Sequence, residues 1–216
     1  MIQAILFDMN GVIIDDEHLH ELAFKQTLEA FDISLSHRNY IKCCAGKTDK
    51  AGYQSISANF NITLPIDSLL TKKNQVYLDL LPANKKSFPG VIDLIKNLSK
   101  IYRLAVTSSS SRTEVERITT EFEIIDYFEV MITANEVLRG KPDPEPYLLT
   151  ATLLNLKPQD CVVIEDSRSG VAAAKAAGCL CIAVTTTHSA EELKEADTIV
   201  QDFKAITPEL LEALMG

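Results

Sequence analysis

The sequence predicts an α/β protein with a doubly wound parallel sheet and a helical cap domain inserted after the first strand. Three observations predict it: the chain opens with the apolar run Ile2–Phe7, helical periodicity fills residues 16–88, and apolar runs alternate with helical segments from residue 89 onward. Such alternation is typical of a parallel sheet with helices on both faces. We therefore expect a core of residues 1–15 and 89–216 and a cap of residues 16–88.

The predicted cap is helical throughout. Its first helix is indicated by apolar residues that recur at steps of three and four, namely Leu19, Leu22, Ala23, Phe24, Leu28 and Phe31. Residues 48–58 and 66–80 show further helical patterns, and the turn-forming segment 84–90 closes the cap.

The predicted core alternates strand and helix up to the last strand. The expected strands after Ile2–Phe7 are Leu104–Thr107, Val130–Ile132, Cys161–Ile164, Leu180–Val184 and Thr198–Val200. The expected helices are Val91–Leu98, Thr113–Glu121, Glu145–Asn155 and Ser169–Ala177. Gly178 follows the last of these helices and is a favourable C-cap residue.

Composition excludes several classes of protein. The chain has 216 residues, 46% of them hydrophobic and 24% charged, which is typical of an ordinary globular protein. A formal net charge of −9 without a basic cluster argues against nucleic-acid binding. No apolar run approaches the roughly 18 residues of a membrane span, and the N-terminus lacks a signal-peptide pattern. Five cysteines, mostly inside apolar runs, indicate buried thiols in a cytoplasmic protein, and a monomer is the default expectation.

Polar side chains follow, or lie near, successive predicted strands. Asp8 follows the first strand, Ser108 the second, and the pair Glu165 and Asp166 the fourth. Lys141 lies in the loop after the third strand. Because the carboxyl ends of parallel strands meet at one edge of the sheet, we expect these side chains to converge on one crevice.

This set of residues suits phosphoryl transfer. Carboxylates are the hard ligands that Mg²⁺ prefers, an Asp can attack phosphorus as a nucleophile, and Ser and Lys can bind phosphate oxygens. Each residue also has a structural interpretation: Asp8 as a turn residue, Ser108 as a helix cap, Lys141 as a solvated loop lysine, and Glu165 and Asp166 as an acidic helix N-terminus. Their joint occurrence after successive strands favours the site.

The motifs resemble those of the haloacid dehalogenase-like hydrolases, in the branch of β-phosphoglucomutase and sugar-phosphate phosphatases. The resemblance rests on the segments 8–12 (Asp-Met-Asn-Gly-Val), 140–144 (Gly-Lys-Pro-Asp-Pro) and 163–167 (Val-Ile-Glu-Asp-Ser), with Gly170 after the last of them. The segment 15–20 also resembles the entry into the cap of these enzymes. The resemblance spans nearly the whole chain and implies a Rossmann-like core, Mg²⁺ as cofactor and a small phosphorylated metabolite as substrate.

The resemblance also implies roles for individual residues. Asp8 is the nucleophile, while Ser108, its neighbour Ser109 and Lys141 hold the phosphate. The implied ligands of Mg²⁺ are Asp8, the backbone carbonyl of Asn10, Glu165 and Asp166. His20, Lys47 and Lys73 are cap-side candidates for binding the substrate, although each is more often a solvated helix residue than a ligand.

Asn10 departs from the family pattern. The phosphotransferases of this family carry Asp two residues after the nucleophile as the general acid and base, and an amide neither gives nor takes a proton near neutral pH. Two explanations are open: an engineered Asp-to-Asn change, which the intact motifs around it favour, or natural divergence. Asn10 therefore joins Asp8 as a predicted catalytic position, in a form that impairs turnover.

A second departure lies in the cap and bears on the choice of reaction. The mutases place an Arg in the cap segment that here runs Ala45-Gly46-Lys47-Thr48-Asp49-Lys50, and Asp49 falls at its position. This favours a phosphatase acting on a sugar phosphate over a β-phosphoglucomutase-like phosphotransferase, which remains the alternative. Two further alternatives remain: phosphonate hydrolysis, for which Lys47 could serve as the cap lysine, and a catalytically silent phosphate-binding protein, because of Asn10. Haloacid dehalogenation is disfavoured, since it does not need the expected metal ligands Glu165 and Asp166.

Overall fold

The computed structural model describes residues 1–45 and 47–214, which divide into two compact units. One unit, here called the core unit, contains residues 1–15 and 86–214. The other, here called the helical unit, is Asp16–Lys85, of which Gly46 lies outside the described residues. No helix within 1–45 or 47–214 is both long and apolar enough to cross a membrane.

The helical unit contains four helices among its described residues. They are α1 (Glu17–Glu29), α2 (His37–Cys43), α3 (Asp49–Phe60) and α4 (Ile66–Asn84). Ser36 and Thr48 begin α2 and α3 by accepting a hydrogen bond from a backbone N–H of the first turn. Buried apolar residues from all four helices, among them Phe24, Tyr40 and Tyr53, form the core of this unit.

The core unit is built on a parallel sheet with the strand order β3-β2-β1-β4-β5-β6. The strands are β1 (Ala4–Phe7), β2 (Arg103–Thr107), β3 (Val130–Ile132), β4 (Cys161–Glu165), β5 (Leu180–Val184) and β6 (Thr198–Val200). β1 is central and fully buried, and its last residue, Phe7, is in register with Val106 of β2 and Ile164 of β4. Residue 8 therefore leaves the sheet between the ends of β2 and β4, where open α/β sheets place their binding sites.

Along the chain, helices lie between the strands of the core unit or after the last of them. They are α5 (Val91–Leu98), α6 (Arg112–Glu121), α7 (Glu145–Leu153), α8 (Arg168–Ala177) and α9 (Pro208–Ala213). Ser111 begins α6 in a capping box with Glu114, Ser167 begins α8, and Gly178 ends α8 with a φ of 82°.

The structure differs from the predicted organisation in three places. Residues 86–88 belong to the core unit, because Lys86 O accepts a hydrogen bond from Asp15 N at 2.8 Å and Ser87 forms an antiparallel bridge with Ile14. Helix α2 was not predicted, since its short pattern contains only two buried residues, and α9 was not predicted either. The doubly wound parallel sheet itself is confirmed.

Candidate active site

Asp8 lies directly after β1 at the carboxyl edge of the sheet and is only 8% exposed. Its backbone N–H donates to Ile164 O at 3.0 Å, which fixes the start of the turn beside β4. Burial, opposed by Lys141 and reinforced by the neighbouring Glu165 carboxylate, raises the pKa of Asp8 to about 7. Asp8 is therefore a carboxylate that its environment does not fully compensate.

Lys141 is the cation at the centre of the site, and its side chain is 5% exposed. Its ammonium group donates to Asp8 Oδ1 at 2.6 Å, to Glu165 Oε1 at 2.7 Å and to Thr107 O at 2.9 Å. Burial alone would lower the pKa of Lys141, but the two carboxylates more than offset it, so the pKa is raised and the lysine is charged.

Glu165 ends β4 and is fully buried. Its Oε1 accepts from Lys141 and from the Tyr147 hydroxyl at 2.8 Å. Its Oε2 accepts from Asp166 N at 3.0 Å, Ser167 N at 3.2 Å and Ser167 Oγ at 3.0 Å. Burial would raise the pKa of Glu165, but Lys141 and the other donors hold it below its usual value. These five hydrogen bonds occupy all of the roughly four lone-pair sites of the carboxylate, so Glu165 chiefly anchors Lys141.

Asp166 is the next residue and is 4% exposed. Burial, together with the Glu165 and Asp8 carboxylates, raises the pKa of Asp166 to about 8. Its carboxylate packs against the backbone of Gly11, where a Cβ atom would lie 2.0 Å from Asp166 Oδ2. Gly11 also has a φ of +84°, so both the close approach and the backbone conformation require glycine there.

The donor set fits a divalent cation. Asp8, Glu165 and Asp166 each offer a carboxylate oxygen, and these oxygens lie within 4.8 Å of one another. When all three are ionised, the single charge of Lys141 leaves two negative charges uncompensated in a buried site. Hard oxygen donors with this charge excess are the environment that Mg²⁺ prefers.

The loop after β2 carries the predicted phosphate-binding serines. Ser108 is 3% exposed, and its Oγ accepts from Ser110 N at 3.1 Å, which orients the hydroxyl. Ser109 is exposed on the same loop. The Ser110 hydroxyl donates to Asn10 Oδ1 at 2.9 Å, so this loop and the loop after β1 are directly connected.

The structure brings Asp8, Lys141, Glu165 and Asp166 together, but His20 and Lys47 belong to the helical unit. His20 Nδ1 lies 2.6 Å from Lys73 Nζ, and its ring stacks on Tyr77 at a centroid distance of 4.6 Å. Lys47 Nζ donates to Lys42 O at 3.2 Å and Ser55 Oγ at 3.3 Å. Gly46, which precedes Lys47, lies outside the described residues.

Sequence reasoning missed several residues that contact the site. The Tyr147 ring lies 4.9 Å from Lys141 Nζ, and Thr187 donates to the Asp166 carboxylate. Tyr147 carried no signal because an aromatic residue in an apolar helix pattern predicts only burial. Thr187 could have been identified from the sequence, since it lies in the loop after β5. A polar residue after a strand is the same signal that identified Asp8 and Ser108.

Comparisons with known proteins identify the family. A sequence model of the haloacid dehalogenase-like hydrolases matches residues 5–184. The chain belongs to this family. The family and the fold predicted from the sequence are thereby confirmed.

Similar proteins of the family act on phosphorylated sugars or related compounds, according to their names. The chain is 39% identical to hexitol phosphatase A of Escherichia coli over 95% of this chain and 93% of that protein. It is 30% identical to β-phosphoglucomutase of Bacillus subtilis, over 97% of this chain and 93% of that protein. Among solved structures, the chain is similar to a mutant of CbbY from Rhodobacter sphaeroides in complex with xylulose-1,5-bisphosphate. The TM-score is 0.82 and the sequence identity 30%, over 94% of this chain and 95% of that one.

Proposed function

We propose that this protein is a Mg²⁺-dependent phosphatase that removes phosphate from a small sugar or polyol phosphate through an aspartyl phosphate on Asp8. The observation that carries the proposal is the Lys141 ammonium group, bonded to Asp8 Oδ1 at 2.6 Å within a cluster of three carboxylates. A cation at this position neutralises both the nucleophile and an incoming phosphate. The similarity to hexitol phosphatase A supports the class of substrate.

Asp8 is the attacking group in this proposal. Since Oδ1 accepts the hydrogen bond from Lys141, we assign the attack on phosphorus to Oδ2. The new bond joins Oδ2 to phosphorus, the bond from phosphorus to the sugar oxygen breaks, and that oxygen takes a proton from water and leaves as the alcohol, because Asn10 has no proton to give. In the second step a water oxygen attacks phosphorus and passes its proton to solvent, the bond from phosphorus to Asp8 Oδ2 breaks, and inorganic phosphate leaves.

The metal site comprises Asp8, Asp166, the backbone carbonyl of Asn10 and Glu165. Mg²⁺, when bound, supplies positive charge to the phosphate oxygens. Asp8 and Asp166 are the principal ligands in our proposal, because both pKa values are raised and Glu165 is already saturated with hydrogen bonds.

The phosphate is held by Lys141, Ser108 and Ser109. Thr107 O and Glu165 hold Lys141 in place at 2.9 Å and 2.7 Å, so its ammonium group stays at the site without substrate. Such preorganisation is the main source of electrostatic stabilisation in phosphoryl transfer. His20 and Lys47 remain our candidates for binding the rest of the substrate.

Asn10 supports a second function, binding of a phosphorylated metabolite without rapid turnover. Its amide cannot give a proton to the leaving alcohol or take one from the attacking water. A β-phosphoglucomutase-like phosphotransferase is distinguished from both by assay, because it forms an isomer instead of inorganic phosphate.

The described cysteines are all buried free thiols, which supports a cytoplasmic location.

The first test uses the Asn10→Asp form and a panel of sugar, polyol and phosphonate substrates with Mg²⁺. We expect release of inorganic phosphate from a sugar or polyol phosphate. Asp8→Ala in this background should lower kcat by about 10⁴-fold or more, because it removes the nucleophile. Asp93→Ala, an exposed Asp in the first turn of α5, is the matched control and should leave kcat unchanged. Turnover that survives Asp8→Ala would refute the mechanism, and isomer formation would indicate the phosphotransferase.

A further inference from the structure

Three consecutive threonines follow β5 at the carboxyl edge of the sheet. Thr185 Oγ1 lies 3.5 Å from Val200 O, on the side of β6. Thr186 Oγ1 donates to Gly11 O at 2.6 Å. Thr187 Oγ1 contacts Asp166 Oδ2 closely and lies 3.2 Å from Asp166 O. Two of the three hydroxyls therefore connect this loop to groups of the proposed active site.

Thr187 contacts the carboxylate that is least compensated within its own cluster. Lys141 donates to Asp8 and Glu165, whereas the side-chain donor to Asp166 is the Thr187 hydroxyl. Repulsion from the two neighbouring carboxylates would otherwise favour rotation of Asp166 away from them. His188 Nδ1 lies 2.8 Å from Thr187 Oγ1, and its Nδ1–H tautomer donates to Thr187, which leaves the hydroxyl hydrogen for Asp166.

The Asp166 carboxylate has a second neighbour besides Thr187, the backbone of Gly11. It packs against Gly11, and the Thr186 hydroxyl holds the Gly11 carbonyl at 2.6 Å. The loop after β5 thus holds both the carboxylate and the backbone against which it packs. A carboxylate that accepts a hydrogen bond and also packs against a held backbone has one preferred orientation, which is what a metal ligand requires.

We propose that Thr187 is a positioning residue that orients the Asp166 carboxylate for binding of a divalent cation. The inference rests on the proposed function, in which Asp166 is a metal ligand. Partners of metal ligands typically change metal affinity about 10–100-fold when removed. Because the Thr187 side chain is exposed and water can replace part of its role, we expect the lower end of that range.

The experiment measures Mn²⁺ binding to the metal-free protein by electron paramagnetic resonance of the unbound ion. Thr187→Val should weaken binding about tenfold, and Thr187→Ser, which keeps the hydroxyl, should restore it. Thr185→Val is the matched control within the same run of residues, because its hydroxyl faces Val200 O, and it should bind as the parent does. In the Asn10→Asp form, Thr187→Val should raise the Mg²⁺ concentration needed for half-maximal activity and leave kcat at saturating Mg²⁺ unchanged.

Asp166→Asn separates the two possible failures. If Asp166→Asn weakens Mn²⁺ binding while Thr187→Val binds as the parent does, Thr187 is not a positioning residue and the proposed metal site stands. If Asp166→Asn also binds as the parent does, the proposed metal site itself is wrong. Thr187→Ala provides a second variant without the hydroxyl, and parent-like binding by it would overturn the inference in the same way.

Discussion

Each unit of the protein contains a buried lysine, and the two lysines have different surroundings. Lys141 in the core unit donates to Asp8 and Glu165, whose side chains are only 11% and 0% exposed. Lys73 in the helical unit is 0% exposed and donates to Asp49, which is 34% exposed. Its second neighbour, the His20 ring, lies 2.6 Å away and accepts a hydrogen bond when neutral. The core lysine is thus held by two buried carboxylates, and the other by one that water reaches.

The difference lies in the charge that each cluster leaves uncompensated. The core cluster adds Asp166, which gives three carboxylates against one ammonium group. In the helical unit the second carboxylate, Asp16, accepts from the Tyr77 hydroxyl at 2.5 Å and lies 3.4 Å from His20 Nε2. Since uncompensated buried charge is costly, only the core cluster has a strong electrostatic requirement for a cation. We therefore expect different roles for the two buried lysines: Lys141 as part of the proposed active site in the core unit, and Lys73 as a structural element of the helical unit.

The largest expected effect is on turnover in the core unit. Asn10→Asp should raise kcat by about 10²-fold or more, since it restores a proton-transfer group, and should change KM little because Asp and Asn have nearly the same shape. The Ser110 hydroxyl, which donates to Asn10 Oδ1 at 2.9 Å, can stabilise the new carboxylate in the same way. Steady-state kinetics of both forms on one good substrate measure the change in kcat and in KM.

A matched control for this change lies in the helical unit. Asn59 is exposed and accepts from Lys42 at 2.6 Å, so Asn59→Asp makes the same chemical change at a residue that is not part of the carboxylate cluster. It should leave kcat unchanged. Equal kcat values for the parent and Asn10→Asp would show that residue 10 performs no proton transfer. If neither form turns over a substrate that both bind, binding without turnover becomes the better account.

The next effect is the pH dependence of metal binding. With the pKa of Asp166 near 8, Mg²⁺ must displace a proton below that pH, so its apparent affinity should fall by up to about tenfold per pH unit between pH 8 and 6.

The raised pKa values of Asp8 and Asp166 mean that the metal-free folded protein retains protons that the unfolded chain has lost. Its free energy of unfolding should therefore decrease as the pH rises from about 4 to 8, through these two groups.

Calorimetric titration with Mg²⁺ at several pH values measures this effect. The heat of binding in buffers of different ionisation enthalpy reports the number of protons released. Asp166→Asn should abolish most of the proton release as well as weaken binding. An affinity that is constant from pH 6 to 8, without proton release, would show that the carboxylates are already ionised and that Lys141 compensates them more fully than we infer.

The core of the fold is predictable because strong local patterns and topology agree there. Apolar runs indicate the strands, and the rule that parallel strands end at one edge is enough to place Asp8, Ser108 and Glu165 near one another. The same reasoning fails for α2, whose two buried residues, Tyr40 and Cys43, do not make a periodic pattern. It also misplaces residues 86–88, whose pairing with residues 13–15 is a long-range contact that local sequence does not show.

The candidate site is predictable in its charged residues but not in their partners. Nothing in the sequence shows that Glu165 is saturated by five donors. Ser167 reaches it through the local turn between β4 and α8, whereas Tyr147 reaches it only through the packing of α7. In the helical unit, Lys73 has the sequence pattern of an ordinary helix lysine, and its complete burial depends on the packing of α4 against α1 and α3. Partners of buried charges are set by tertiary packing, which local sequence patterns do not encode.

The smallest expected effect concerns the helical unit and is on stability. Lys73→Met should lower the free energy of unfolding of this unit by about 1–3 kcal/mol, below the range for a fully buried pair, because the remaining Asp49 carboxylate is partly solvated. The neighbouring Lys72 is exposed, so Lys72→Met is the matched control and should change stability by less than about 0.5 kcal/mol. Urea unfolding followed by circular dichroism measures both.

Adding Asp49→Asn to Lys73→Met should recover part of the loss, since the two residues are coupled. If Lys73→Met proves neutral, or if it changes the affinity for Mg²⁺, the contrast between a structural lysine and a reactive-site lysine fails, because the helical cluster would then be either dispensable or linked to the metal site.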